Sequence, residues 1–287
     1  MEEKLLDDNN KDTSEEYDEI LDIETDKEFD TKIDEIQRRQ IDTKRIKKID
    51  QSKKRAAIES VFDERTIFTL SKLLRNGPLE RVEGIISAGK EANIYLAYDL
   101  YGKEVALKIY KIDSNTSKWM RNYIIGDPRF KKIPHNISKV IFLWASKEYK
   151  NLKRAYKVGL KVPNPLRIKD NILIMEYIGF GSIPAPLLKD IKSPKEPISL
   201  MNEILTFIKD LYQKAKLVHG DLSEFNILYH NQKPVIIDIS QAVSIHHPKA
   251  EVYLVRDIKN IFKYFEKLGI ETPDPKDFYY EVIKTDN

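Results

Sequence analysis

The segment L-V-H-G-D-L-S-E-F-N-I-L-Y-H at 217–230 carries residues spaced for phosphoryl transfer. Asp221 and Asn226 are five positions apart, and Asp238 follows twelve residues later inside an apolar run. Phosphoryl transfer uses one carboxylate to orient and deprotonate a hydroxyl group, and an amide with a second carboxylate to hold Mg²⁺. Such hard cations prefer oxygen ligands. A chance combination of a capping aspartate and a turn asparagine is the alternative, and two motifs upstream argue against it.

The first upstream motif is a glycine-containing segment at 84–111. Gly84 and Gly89-Lys90 match the phosphate-binding loop G-x-x-x-x-G-K-[ST] at every position but the last, where Glu91 replaces the hydroxyl residue. The residues that follow alternate between two faces, which predicts a strand, whereas such a loop is normally followed by a helix. The segment therefore predicts three antiparallel strands with a tight turn whose N–H groups can hold phosphates. Two glycines also occur in ordinary turns.

The second upstream motif is Lys108, which lies in the apolar strand V-A-L-K, 19 residues after Gly89. It is either a solvated lysine or a buried one that needs an anionic partner, because an unpaired buried ammonium group is very costly. Glu148 interrupts the apolar stripe of a helix predicted at 138–157. It is either an ordinary exposed glutamate or that partner. Nucleotide phosphates together with a carboxylate would satisfy a buried Lys108.

The elements around the catalytic loop follow from apolar spacing. Apolar residues at helical spacing predict a buried helix at 201–215, which leads into the polar loop. Two short apolar runs at 227–237 flank Asn231-Gln232 and predict a hairpin that ends in Asp238. The helix would thus deliver the polar loop with Asp221 and Asn226, and the second strand would end in Asp238.

Two further helices are predicted outside this loop. One lies between 62 and 77, where Gly77 is a plausible end, and the other covers 255–268. Only 49 residues follow Asp238, which leaves room for a short link, this one helix and a tail. Asp257 either caps that helix or braces the catalytic loop.

The composition excludes several classes of chemistry. The 287 residues include no cysteine, so disulfides, thiolate catalysis and cysteine-ligated zinc are excluded. The five histidines include no H-x-x-x-H pair, which excludes a helical zinc-protease site. No stretch reaches the about 18 apolar residues of a membrane span, and the acidic start lacks the apolar core of a secretory signal. We therefore expect a cytoplasmic protein with no membrane partner.

Charge is distributed unevenly along the chain. Residues 1–36 hold 16 acidic residues and four lysines, a net of −12, whereas the rest of the chain carries +15. The acidic head at 1–36 has the composition of a disordered or weakly helical segment. Residues 37–60 are a basic helical linker, which is either a solvated helix face or a surface that contacts nucleic-acid phosphates.

Three motifs resemble those of the RIO atypical protein kinases: S-A-G-K-E-A-N-I-Y at 87–95, H-G-D-L-S-E-F-N-I-L at 219–228 and I-I-D-I-S-Q-A-V at 236–243. V-A-L-K also differs by one residue from the V-A-I-K strand of protein kinases. The chain is similar to the first RIO subfamily, since the H-G-D-F-N-E-F-N loop and D-F-P-Q metal motif of the second are missing. The resemblance covers roughly residues 60–270. Its departures are Ala88 for the usual Thr and Phe225 for the usual Tyr.

The resemblance implies a fold of the α+β class. This is a bilobal protein-kinase-like fold with an antiparallel-sheet N-lobe and a truncated helical C-lobe. The N-lobe would occupy 61–178, with the family's flexible loop at 113–137, and the C-lobe would occupy 179–287. An ordinary surface insertion is the alternative for the loop.

The resemblance also implies the roles of the site residues. Asp221 is the base or orienting carboxylate, Asn226 and Asp238 bind Mg²⁺ (or Mn²⁺), and Asp238 is a candidate for a phosphoaspartate. The implied ATP-binding set joins the glycine turn, the lysine–glutamate pair and an adenine hinge: Ser87, Gly89, Lys90, Lys108, Glu148, Met175, Glu176 and Ile178.

The implied activity is ATP- and Mg²⁺-dependent phosphoryl transfer, as a serine/threonine kinase, as an ATPase switch, or as both. The implied partner is the small ribosomal subunit precursor with its rRNA, and the sequence does not identify a protein substrate. One alternative is a small-molecule phosphotransferase of the aminoglycoside-kinase type, which shares H-G-D. Another is a non-catalytic ATP-binding assembly factor. That reading predicts loss of a residue from the set Lys108, Asp221, Asn226 and Asp238, and all four are present.

Overall fold

The structure, a computed structural model, describes residues 63–284. The acidic head expected at 1–36 and the basic linker expected at 37–60 lie outside the described residues. In the described part of the chain, no helix combines the length and the apolar character that crossing a bilayer requires.

An antiparallel sheet of five strands forms the N-lobe, in the order β1-β2-β3-β5-β4. Its strands are β1 (Leu79–Ala88), β2 (Ala92–Asp99), β3 (Glu104–Tyr110), β4 (Pro165–Lys169) and β5 (Ile172–Glu176). Helix α1 (Glu64–Arg75), capped by the Asp63 side chain, packs its Leu73 against one face of the sheet. The central strand β3 is buried along almost its whole length, so a lysine within it must find its partners inside the protein.

Two helices connect β3 to β4. Helix α3 (Ile137–Lys157) has an apolar stripe, and its Leu152 belongs to the same core cluster as Ala106 and Leu173 of the sheet. The segment expected as a flexible loop at 113–137 contains helix α2 (Ser114–Ile124) in its first half, and residues 125–136 form no helix or strand. The physical reason is local, because the Asp113 side chain caps the helix and two apolar residues four positions apart are buried.

The C-lobe begins with a small hairpin and continues through short strands and three helices. Its strands are β6 (Gly179–Phe180), β7 (Ile183–Pro184), β8 (Leu217–Val218), β9 (Ile227–His230), β10 (Lys233–Ile236) and β11 (Val243–Ser244). Its helices are α4 (Pro197–Gln213), α5 (Ala250–Lys267) and α6 (Pro275–Ile283), with 3₁₀ turns at Leu188–Asp190 and Ile239–Gln241. Antiparallel pairs β9–β10 and β8–β11 fix both ends of the catalytic loop.

The C-terminal part differs from the prediction of one helix and a tail. Helix α5 begins at Ala250, five residues before the predicted start, and α6 follows it. Asp274 caps α6 and Pro275 occupies its first turn. Phe278 of α6 packs against Phe262 of α5, with ring centroids 5.9 Å apart. The nine-residue α6 therefore depends on tertiary packing, which a short sequence window does not reveal.

Candidate active site

Lys108 is the centre of a buried ion-pair group. It is 4% exposed, and its Nζ donates to Glu148 Oε1 at 2.7 Å and to Asp238 Oδ1 at 2.9 Å. The readings of a solvated lysine and an exposed glutamate are therefore wrong. Burial alone lowers the pKa of Lys108, but attraction to Asp238 and Glu148 outweighs it and raises the pKa above its ordinary value. The lysine thus stays charged where the two lobes meet.

Tyr110 completes the environment of Glu148. Its hydroxyl donates to Glu148 Oε2, while Lys108 holds Oε1, so both carboxylate oxygens are fixed. Burial raises the pKa of Glu148, and Lys108 opposes that rise. Tyr110 was not predicted as a site residue, although a residue two positions after Lys108 on a strand must lie on the same face.

Asp238 lies two residues after the end of β10 in a left-handed backbone conformation, with φ 54°. Such a conformation is unfavourable for a residue other than glycine and is retained where the surroundings impose it. Its Oδ1 accepts from Lys108 and from Ser240 Oγ, the latter at 2.8 Å. The side chain is nevertheless 43% exposed, which leaves Oδ2 accessible. Burial tends to raise the pKa of Asp238, but Lys108 and then Ser240 lower it overall, so the carboxylate is ionised.

Asp221 is oriented by two amide side chains. Gln241 Nε2 donates to its Oδ2 at 2.9 Å, and Asn226 Nδ2 donates to its backbone carbonyl at 2.7 Å. Burial and the nearby Asp238 raise the pKa of Asp221. Because Asn226 uses its amide nitrogen for this contact, its Oδ1 is the atom suited to bind a cation. Gln241 was also missed in the sequence, since only the fold brings it beside the catalytic loop.

Asp257 braces the catalytic loop from α5. Its Oδ2 accepts from Gly220 N–H at 2.8 Å and its Oδ1 accepts from Leu222 N–H at 2.9 Å. These are the two residues that flank Asp221. Asp257 lies in the interior of α5, so the capping alternative is wrong. Burial raises its pKa to about 7, against the effect of the two backbone N–H groups.

The turn between β1 and β2 is tight, as predicted. Gly89 N–H donates to Ala92 O at 3.0 Å, and a Cβ atom on Gly89 would lie 2.7 Å from that oxygen, so the turn requires glycine. Lys111 Nζ donates to the Gly89 carbonyl at 2.7 Å. Ser87 and Lys90 are exposed and lie outside the ion-pair group. Burial raises the pKa of Glu91 to about 7, with Asp238 adding to the rise.

The residues expected to form the hinge lie at the junction of the lobes. Met175 is buried on β5 opposite Ala106, and Glu176 ends that strand. Two backbone groups here are already used, because Glu176 N–H donates to Asn164 O at 2.8 Å and Ile178 O accepts from Ala185 N–H at 3.0 Å. An adenine at this hinge would therefore use other groups, such as Ile178 N–H.

The geometry brings together Lys108, Glu148, Asp221, Asn226 and Asp238. Within residues 63–284, no group of three or more His, Asp or Glu side chains is arranged to bind a metal ion. An amide and a carboxylate fit a cation whose other ligands are phosphate oxygens and water, as Mg²⁺ in nucleotide sites often has.

The chain is similar to a protein-family model and to several known proteins. A family model described as the RIO domain matches residues 93–278. A RIO-type serine/threonine-protein kinase Rio1 from Haloferax volcanii is 38% identical over 242 residues, which is 84% of this chain and 81% of that protein. The human serine/threonine-protein kinase RIO1 is 38% identical over 219 residues, 75% of this chain but 39% of that longer protein.

Among solved structures, a crystal structure of the Rio2 kinase from Chaetomium thermophilum is similar, in a complex with ADP, Mg²⁺ and phosphoaspartate. Its TM-score is 0.59 at 26% identity, and the match covers 75% of this chain and 64% of that one. The chain thus spans most of the archaeal relative but about half or less of several eukaryotic ones.

Proposed function

This chain belongs to the RIO family of atypical serine/threonine protein kinases, and we propose that it transfers the terminal phosphoryl group of ATP in an Mg²⁺-dependent reaction. The observation that carries the proposal is the contact of Lys108 with both Glu148 and Asp238, at 2.7 and 2.9 Å. It places a charged lysine beside a partly exposed carboxylate, the arrangement needed for a nucleotide phosphate and its cation.

Each residue has a role that follows from its free atoms. Lys108 neutralises phosphate charge, and the Gly89 turn offers backbone N–H groups to phosphate oxygens. Asn226 Oδ1 and Asp238 Oδ2 would hold Mg²⁺, which would supply positive charge against the charge that develops during transfer. Asp221, whose Oδ2 is held by Gln241, orients the acceptor hydroxyl and takes its proton on Oδ1.

Asp238 is also our candidate for a covalent intermediate. In that step Asp238 Oδ2, as an alternative to its role as a cation ligand, forms a bond to the terminal phosphorus, the bond from that phosphorus to the bridging oxygen breaks, and ADP leaves. Incubation with radiolabelled ATP should then label the protein in a form that hydroxylamine removes, and Asp238→Asn should not be labelled. Label that survives hydroxylamine would place the phosphate on a hydroxyl group instead.

The test of the activity is ATP turnover with and without a purified small-subunit precursor. We expect Mg²⁺- or Mn²⁺-dependent turnover that is lost in Asp221→Ala. If wild-type protein does not turn over ATP with either metal, the proposal fails, whether or not ATP is bound.

We also propose that the partner is the small ribosomal subunit precursor. The support is charge, since the chain beyond residue 36 carries +15, with exposed basic residues also at Lys118, Lys131 and Lys132. Neutralised phosphates make RNA binding fall steeply with salt. Co-sedimentation across a salt series should show that fall, and removal of residues 1–36 should strengthen binding. Salt-independent binding, or none, would overturn this part. A cytoplasmic location fits such a partner and the absence of cysteine.

A further inference from the structure

The 3₁₀ turn at Ile239–Gln241 connects the two catalytic carboxylates. Ser240 Oγ donates to Asp238 Oδ1 at 2.8 Å, and Gln241 Nε2 donates to Asp221 Oδ2 at 2.9 Å. Consecutive side chains of one turn therefore hold the carboxylate from β10 and the carboxylate from the catalytic loop. A displacement of this turn would move both.

Helix α3 holds the turn through its backbone carbonyls. Lys147 Nζ donates to Ser240 O at 2.7 Å and to Ala242 O at 2.6 Å. Asn151 Nδ2 donates to Ile239 O at 3.0 Å and to Ala242 O at 3.1 Å. Both side chains are completely buried. Helix α3, which places Glu148 beside Lys108, thus also fixes the turn through Lys147 and Asn151, which lie one helical turn apart.

A second layer fixes Asn151 itself. Arg129 Nη1 donates to Asn151 Oδ1 at 2.7 Å, which leaves the amide nitrogen to face the carbonyls. Arg129 also forms a two-pronged contact with Asp127, through Nε at 2.9 Å and Nη2 at 2.7 Å. Asp127 in turn accepts from Ser244 N–H at 3.4 Å. Arg129 Nη2 also donates to Ala242 O at 3.3 Å, so the segment between α2 and α3 is attached both to the residue that follows the turn and to β11.

The chemistry of Lys147 distinguishes this cluster from ordinary core packing. A buried ammonium group costs free energy that an apolar side chain of equal volume would not. Burial, followed by the proximity of Arg129, lowers the pKa of Lys147 well below its ordinary value. What Lys147 provides is a hydrogen-bond donor to two carbonyls that an apolar residue would leave without one.

We propose that Lys147 and Asn151 are positioning residues for the phosphoryl-transfer reaction, which set Asp221 and Asp238 by holding the carbonyls of residues 239–242. Arg129 and Asp127 extend this control to the segment between α2 and α3. The inference rests on the proposed function. It concerns residues that are distinct from those that contact ATP, metal or acceptor.

The test compares Lys147→Met with Lys139→Met. Methionine fills a similar volume without donating, and Lys139 is an exposed residue of the same helix, so the chemical change is matched. Turnover is measured against ATP and against Mg²⁺, well below the melting temperature of each variant. We expect Lys147→Met to lower kcat by about 10- to 100-fold, the range for a misplaced catalytic group. We also expect a higher half-saturating Mg²⁺ concentration, with a smaller change in KM for ATP.

Two further variants keep the inference open to refutation if Lys147→Met does not fold. Asn151→Leu removes the other donor, and Arg129→Lys keeps the charge but cannot serve Asp127 and Asn151 together. Each should shift the Mg²⁺ dependence in the same direction, Arg129→Lys least. Equal kcat and Mg²⁺ dependence in wild type, Lys139→Met and the folded variants would overturn the inference.

Failure of the proposed function gives a different result. If wild-type protein binds ATP with Mn²⁺ but does not turn it over, that function fails, and the inference is decided by calorimetry. Weaker Mn²⁺-dependent ATP binding in Lys147→Met than in Lys139→Met would support it. Equal binding would overturn it.

Discussion

Lys108 and Asp238, 130 residues apart in sequence, are joined by a 2.9 Å contact between Nζ and Oδ1. This contact connects the N-lobe sheet to the C-lobe segment after β10, where we propose a metal ligand. The two oxygens of the Asp238 carboxylate therefore differ. Oδ1 accepts hydrogen bonds from Lys108 and Ser240, whereas Oδ2 stays accessible. The same lysine therefore pairs with Glu148 of α3 and fixes one oxygen of Asp238 in the C-lobe.

The first prediction concerns the buried charge group. Lys108→Met should lower ATP turnover by about 10²–10³-fold, the usual cost of removing a group that stabilises transferred charge. It should also lower the free energy of unfolding by about 3–5 kcal/mol, because it leaves the buried Glu148 carboxylate without its counter-charge. Steady-state kinetics and denaturant unfolding measure the two effects.

A double-mutant cycle with Glu148→Gln controls this prediction. Glutamine removes the charge that Lys108→Met leaves unpaired. The loss in free energy of unfolding of the double variant should therefore be smaller than the sum of the losses of the two single variants. Additive losses would contradict the coupling between these residues.

The second prediction concerns metal and nucleotide at Asp238. ATP with Mg²⁺ or Mn²⁺ should raise the melting temperature of the wild-type protein by mass action, because the folded state alone binds it. Asp238→Ala should lose the metal-dependent part of that rise, while Asp221→Ala should retain it. If chelation of the metal leaves the ATP-induced shift of the wild-type protein unchanged, Asp238 is not a metal ligand.

The sequence predicted the parts of the site that have fixed spacing within a motif. The glycine turn, the β9–β10 hairpin and the order of Lys108, Asp221, Asn226 and Asp238 follow from alternation and local turn chemistry. The hairpin turn is a clear case, since Asn231 and Gln232 both have positive φ, at 51° and 64°, as the shortest hairpins require.

Residues that act through tertiary contacts could not be predicted in the same way. Lys147 looks like a surface residue of an amphipathic helix, and only the docking of residues 239–242 against α3 buries it. Gln241 follows a recognisable motif but meets Asp221 only in the fold. The sequence did not decide whether Asp257 caps the last predicted helix or braces the catalytic loop, because both roles suit an aspartate near the start of a helix.

The third prediction concerns pH and His219. This histidine of the catalytic loop is buried, and burial lowers its pKa to about 4. Its pKa in the unfolded chain is about 6.5, so the unfolded state binds a proton that the folded state does not. Stability from this group is therefore fully present above about pH 6.5 and is lost as pH falls towards 4.

Unfolding by denaturant at pH 7 and pH 4 measures this effect. Between pH 7 and pH 4, the free energy of unfolding of the wild-type protein should fall by up to about 3 kcal/mol more than that of His219→Leu. This figure follows from about 1.4 kcal/mol for each unit by which the pKa is shifted. Parallel pH curves for the two proteins would show that His219 is not the group responsible.

The fourth prediction concerns the brace formed by Asp257. Asp257→Ala leaves the buried N–H groups of Gly220 and Leu222 without their acceptor, which costs about 1–3 kcal/mol for each group. Turnover should fall as well, because Asp221 lies between these two residues. Asp277→Ala, at an exposed position on α6, is the matched control. Equal stability of the two variants in denaturant would contradict the bracing role.

The fifth prediction separates the base from the residue that orients it. Asp221→Asn should lower kcat by about 10²–10⁴-fold, the range for a positioned base, while ATP affinity measured by calorimetry is retained.

Gln241→Leu removes the donor at 2.9 Å but leaves the Asp221 carboxylate, so it should lower kcat by a smaller factor than Asp221→Asn. Gln241→Glu should be worse than Gln241→Leu, because a second carboxylate would repel Asp221 and raise its pKa further. The pH–rate profile of Gln241→Glu should therefore shift its acidic limb to higher pH, since more of Asp221 is protonated at a given pH. An unshifted limb in Gln241→Glu, with the same kcat as Gln241→Leu, would remove Asp221 as the group that accepts the proton.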